Sequence, residues 1–124
     1  MSNELLLYFG AALAIFWGVA HIYPTRNVIT GFGNISQDNK NIITMEWIIE
    51  GIALIYIGAV VIVATMIDHE SAVSISLYLI TAGTLIILAL ISLFTGFKVN
   101  FLPFKLCPII FSISAGLILL GAFL

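Results

Sequence analysis

Two carboxylates, Glu46 and Glu50, interrupt a long apolar stretch in the segment ITMEWIIEGIALIY, residues 43–56. In a helix they lie one turn apart on the same face. With a rise of about 1.5 Å per residue, Glu50 lies roughly 12 Å beyond the apolar boundary near Ile42. A charge at that depth in a bilayer is costly, so such a residue usually has a partner or a functional role.

The end of the first apolar run supplies groups that these carboxylates could meet. Trp17 and His21 are four residues apart and share a helix face, and Arg26 follows in the next loop. The first predicted helix ends on the side of the membrane where the second begins, which places His21 at the depth of Glu46 and Glu50. A histidine beside a carboxylate is suited to handling protons near neutral pH. A purely structural alternative stays open. In it, the histidine lies at the membrane interface and the carboxyl group only holds helices together.

We expect Glu50 to face the bundle interior, because a charged residue that faces lipid costs roughly 2.5–3.5 kcal/mol. It should form a hydrogen bond, directly or through one bridging water, with His21, with Trp17 or with a hydroxyl group of the third helix. Glu46 is nearer the water and should reach Arg26 or first-loop amides. No residue is assigned a catalytic role. The candidate ligand or proton site comprises Glu50, Glu46, His21, Trp17, Arg26 and Tyr78, with Thr81 and Thr84 as further hydroxyls.

Metal and cofactor chemistry has little support in the sequence. There is no HExxH motif and no Cys/His cluster, so no metal site is predicted. A haem would need an axial ligand, for which His21 is the only well-placed residue, and the sequence requires no cofactor. The lone cysteine, Cys107, is expected to pack among apolar neighbours, and His69 to be a solvated loop residue.

The composition decides which elements position these residues. Of 124 residues, 62% are hydrophobic and 8% are charged, with a mean hydropathy of +1.23. This leaves too little polar surface for a water-exposed fold. Each apolar run is near the roughly 20 residues that span a bilayer, and backbone groups in lipid favour helices over isolated strands. We predict an all-α, antiparallel four-helix transmembrane bundle, a single integral membrane domain over residues 1–124. Its helices cover residues 5–22, 42–67, 72–94 and 106–124.

The basic residues predict the orientation. Arg26, Lys40, Lys98 and Lys105 all lie in the first and third loops, on one side of a four-helix protein. The positive-inside rule places these loops in the cytoplasm and both termini outside it, in the cell (inner) membrane. The short second loop, DHES, makes the second and third helices antiparallel neighbours.

Other local signals concern helix ends and helix packing. Asp38 is the expected N-cap of the second helix. Small residues four apart allow membrane helices to approach closely. Two such stripes are present: Gly10, Ala14 and Gly18 in the first helix, and Ser112 and Gly116 in the fourth.

The segments FWGVAHIYPTRNVITGFGNI and WIIEGIALIYIG resemble the DoxX-like small four-helix bacterial membrane proteins. The pattern covers about the first half of the chain. The resemblance implies a four-helix bundle and an association with membrane redox or quinol systems, and it supplies no catalytic residues. The small multidrug resistance transporters share the length and helix count, but their key carboxylate lies in the first helix, which here holds only Glu4 near its start.

Three functions fit these observations. The polar cluster could bind or transport a small amphipathic ligand or a proton. It could instead serve a redox or quinone-linked membrane enzyme or subunit, or it could orient helices in a structural or assembly subunit. The expected partners are the lipid bilayer and a homodimer or larger membrane complex. Nucleic acid is not expected, because the net charge is -2 and no basic stripe is present.

Overall fold

The computed structural model describes residues 2–124 and is helical, with no strand in that range. Four helices are long and apolar enough to cross a membrane, which makes the chain a small multi-pass membrane protein. The fifth is short and follows the first, and a 3-10 turn covers Gly96–Lys98. The helices are α1 (Asn3–Ile22), α2 (Thr25–Gly31), α3 (Gln37–Asp68), α4 (Ala72–Phe94) and α5 (Leu102–Phe123).

The four long helices form an antiparallel bundle. Helix α1 packs against α3 on one side and α5 on the other, and α4 packs mainly on α5. The fourth side, between α3 and α4, has the smallest contact even though only a short turn joins these helices. The predicted fold class is confirmed.

Two helices begin four or more residues earlier than the apolar runs predict. Helix α3 begins at Gln37, and its N-cap is Ser36, whose hydroxyl accepts the Asn39 N–H at 3.1 Å. The prediction of Asp38 as the cap is therefore wrong; it lies inside the first turn, where a negative charge suits the helix dipole. Helix α5 begins at Leu102, because Pro103 occupies the first turn, where a missing N–H costs nothing.

Glycines set the distance between α1 and its neighbours. A Cβ on Gly18 would lie 2.6 Å from the Gly51 carbonyl oxygen of α3. A Cβ on Gly10 would lie 3.0 Å from the Ser114 carbonyl oxygen of α5. Gly10, Ala14 and Gly18 are all buried, so the predicted stripe on α1 is confirmed.

The predicted stripe on the last helix is wrong. Ser112 is exposed, and a Cβ on Gly116 would meet nothing within 4 Å. The face of α5 that meets α1 is instead centred on Ser114, whose buried hydroxyl donates to the Gly10 carbonyl at 2.7 Å. Small residues alone did not show which face of an apolar helix is inside.

Polar contacts hold together the end of the bundle where α1 begins and where α3 turns into α4. His69, in the α3–α4 turn, lies with Nδ1 3.3 Å from Glu4 Oε1 of α1. His69 lies in the loop as predicted, but it is only partly solvated, because it joins this turn to α1. On the interior side, Thr65 Oγ1 and Tyr78 Oη lie 2.9 Å apart in a buried hydrogen bond.

Candidate functional site

A cavity of about 300 Å³ lies where α1 ends and where α3 and α5 begin. Its walls are almost entirely aromatic and aliphatic, and its polar side chains are those of His21, Cys107 and the two tryptophans. The lining residues are Trp17, Ala20, His21, Pro24, Val28, Trp47, Phe101, Pro103, Phe104, Leu106 and Cys107. Small-molecule sites are commonly of this kind, with apolar walls and few polar groups.

Trp47 holds His21 in the cavity wall. The two rings stack with centroids 3.9 Å apart and planes 17° apart. Trp47 Nε1 donates to the His21 backbone carbonyl at 2.7 Å. That carbonyl is in the last turn of α1, where no helical N–H remains to bond it, so Trp47 also caps the helix. The far edge of Trp47 meets Phe104 of α5, with centroids 5.7 Å apart.

His21 lies between the cavity and Glu50. Its Nε2 is 3.4 Å from Glu50 Oε2, and the His21 side chain is 8% exposed while that of Glu50 is 52% exposed. The two groups are close enough for an ion pair, but they are not aligned as a hydrogen bond. Nε2 is buried and has no hydrogen-bond partner in the part of the chain that the structure describes. A buried nitrogen in that condition is an unusual feature of a folded protein and calls for an explanation.

The position of Glu50 differs from the prediction. The expectation that it faces the bundle interior is wrong, because half of its side chain is exposed at the flank of α3. Glu50 lies beside His21, which is next to the last residue of α1. The 32 residues of α3 extend about 48 Å, longer than the bilayer core, so its first turns project past the end of α1.

Trp17 contributes a second polar contact in the cavity. Its Nε1 lies 3.4 Å from Cys107 Sγ, in the direction expected for donation to sulfur. Cys107 therefore lines the cavity beside Trp17 as well as packing between helices.

Three sequence-selected residues do not join this cluster. Tyr78 bonds to Thr65, toward the opposite end of the bundle, and so is not a partner of Glu50. Glu46 and Arg26 are exposed, and neither has an oppositely charged side chain within 4.0 Å among residues 2–124. In the same range, no three His, Cys, Asp or Glu side chains come close enough together to hold a metal ion.

Sequence reasoning missed most of the aromatic wall. Trp47 is three residues before Glu50 and so shares its face, a spacing that could have indicated a residue beside His21. Phe101 and Phe104 have the character of aromatics at a membrane interface, and nothing in their spacing indicates a place in the cavity wall. They reach the cavity because α5 begins at Leu102, before the predicted boundary, which turns this segment toward α1.

An open groove of about 820 Å³ adjoins the cavity between α2 and the loop before α5. Five residues line both spaces, namely Pro24, Val28, Trp47, Phe101 and Phe104. The groove and the cavity are therefore neighbours that share part of their walls.

No protein-family model matches the chain, and no curated protein and no solved structure shows significant similarity to it. The DoxX-like resemblance stays a prediction.

Proposed function

We propose that this protein binds a small amphipathic molecule in the aromatic cavity, with the His21–Glu50 pair as the polar end of the site. The observation that carries the proposal is the buried, unpartnered Nε2 of His21, in the wall of a cavity and 3.4 Å from a half-exposed carboxylate. A purely structural histidine would ordinarily have its buried nitrogen satisfied.

The division of the site into apolar and polar parts suits an amphipathic ligand. Aromatic walls offer large, rigid contact area, which favours rings or short apolar chains. Glu50 is half exposed, so the pair also joins water at the membrane edge to the cavity wall, an arrangement that can pass a proton between them.

We also propose which end of the bundle faces the cytoplasm. The cavity lies at the end that carries all four lysines and arginines, which the positive-inside rule assigns to the cytoplasm. A reporter fused to the C-terminus and active only in the cytoplasm should give no signal, because α5 ends on the opposite side. A strong signal would reverse this orientation.

Intrinsic fluorescence tests the site directly, because the only two tryptophans in the chain, Trp17 and Trp47, both line the cavity. In dodecyl maltoside micelles, 4-bromobenzyl alcohol, a neutral amphipathic quencher, should quench them saturably. Ala20→Phe places a ring in the cavity and should weaken saturable binding by about tenfold or more, equivalent to about 1.4 kcal/mol. Ala12→Phe is the matched control, because Ala12 is on the same helix but exposed. Equal, non-saturating quenching in all three proteins would remove the cavity as a binding site.

The same titration examines the polar end of the site. Glu50→Gln keeps the size of the side chain but removes the charge beside His21, and it should weaken binding by a few-fold. Glu46→Gln removes a charge one turn away that does not line the cavity and has no cation within 4.0 Å among residues 2–124, and it should leave binding unchanged. If both variants bind 4-bromobenzyl alcohol with the same affinity, Glu50 has only a structural role.

A further inference from the structure

The open groove beside the cavity has features of its own. It lies between α2 and the loop that precedes α5, and apolar side chains make up nearly all of its floor. Helix α2 packs on α3, and no comparable contact joins it to α5, so nothing within residues 2–124 covers the groove. The lining residues are Pro24, Asn27, Val28, Gly31, Phe32, Trp47, Val99, Phe101 and Phe104.

The two segments that form the sides of this groove carry three cations. Arg26 is on α2 beside lining residues, and Lys98 and Lys105 each stand next to one in sequence on the facing segment. Residues 23–34 and 95–107, which form the two sides, contain no Asp or Glu. None of the three cations has a carboxylate within 4.0 Å in the described range 2–124. The two sides of the groove therefore carry a net positive charge, and the acid nearest in sequence to a lining residue is Glu46, which precedes Trp47 on α3.

The groove lies just beyond the end of a membrane-spanning helix, where lipid headgroups are expected. It begins at Pro24, just past the end of α1, and α2 continues away from the spanning segment as a short helix. Lys105 is already fixed at this level, because its Nζ donates to the Phe97 carbonyl at 2.7 Å and lies 4.9 Å from the centre of the Phe97 ring. An apolar floor below a cationic edge, at the membrane boundary, is complementary to a lipid that has acyl chains and a negative head.

We propose that this groove binds an anionic phospholipid, with its phosphate beside Arg26, Lys98 and Lys105 and an acyl chain along the Trp47–Phe104 floor. The charge complementarity carries the inference: the two side segments hold three cations and no acids, and the floor between them is apolar. A zwitterionic phospholipid would bring its own ammonium group to the same positive edge and should bind less well. This site does not depend on the small-molecule function proposed for the cavity.

Quenching from the lipid tests the inference. In the Trp17→Phe variant, Trp47 is the only tryptophan and lines the groove. Phosphatidylglycerol and phosphatidylcholine with the same brominated chains are compared at one low mole fraction in phosphatidylcholine nanodiscs. Phosphatidylglycerol should quench Trp47 more strongly, with a selectivity of roughly fivefold for each cation that engages the phosphate. High salt should reduce that selectivity.

A matched pair of lysine variants separates a site from general surface charge. Lys98→Gln should lower the selectivity for phosphatidylglycerol severalfold. Lys40→Gln removes the same charge from α3, where Lys40 borders a different hollow, and should leave the selectivity in place. Equal quenching by the two lipids, selectivity that is indifferent to salt, or equal losses in both lysine variants would each overturn the assignment.

Discussion

Gly18→Ala should destabilise the bundle, whereas Gly83→Ala should stabilise it or leave it unchanged. The new methyl group at residue 18 would lie 2.6 Å from the Gly51 carbonyl oxygen and 3.0 Å from the Ile55 backbone nitrogen, so α1 and α3 must separate. Overpacking of this kind costs about 1–3 kcal/mol. Replacing glycine by alanine also stabilises the helix by about 1 kcal/mol through the higher helix propensity of alanine. At Gly83 nothing lies within 4 Å of the added Cβ, so this gain is not offset by any overpacking cost.

The measurement is unfolding in mixed detergent micelles with increasing dodecyl sulfate, followed by circular dichroism. Gly116→Ala is a second control with open space around its Cβ. Changes of the same sign and size at residues 18 and 83 would mean that close approach of α1 to α3 is not what stabilises this bundle.

The helices could be predicted from the sequence because apolar length decides what spans a membrane. The boundary of α4 was predicted at Ala72 and Phe94, as the structure has it, since both its ends are marked by polar turns. The first residues of α3 and α5 were not predicted correctly. Their first turns contain polar residues or Pro103, and a hydropathy pattern assigns such residues to a loop.

The candidate site was predictable in part. Matching the depth of His21 to that of Glu50 brings together two residues that the structure places 3.4 Å apart. The depth of a residue in the membrane does not determine which way its side chain points around the helix axis. For this reason the sequence did not predict that Glu50 is half exposed. Register explains the error at Tyr78: the short turn after Asp68 pairs the start of α4 with the end of α3, so Tyr78 meets Thr65 and not Glu50.

Replacing Trp47 should have the largest effect on the site. Trp47→Ala removes the ring stacked on His21, the edge contact with Phe104 and the hydrogen bond that caps α1. We expect a loss of about 3 kcal/mol in the free energy of unfolding, the lower end for truncation of a large aromatic residue, because Trp47 is only partly buried. Saturable quenching of the remaining Trp17 by 4-bromobenzyl alcohol should weaken by about tenfold or more, since one wall of the cavity is gone.

Two further variants apportion this effect. Trp47→Phe retains a ring against His21 but leaves the His21 carbonyl without its donor, so it should cost about 1 kcal/mol and keep most of the binding. Tyr56→Ala removes an aromatic ring from the same helix at a position that is 67% exposed, and it should change neither quantity appreciably. If Trp47→Ala weakens the bundle but the probe still binds Trp17 as before, Trp47 stabilises α1 without forming the ligand site. If Trp47→Phe loses as much binding as Trp47→Ala, the indole N–H bond matters more for the ligand site than the stacked ring.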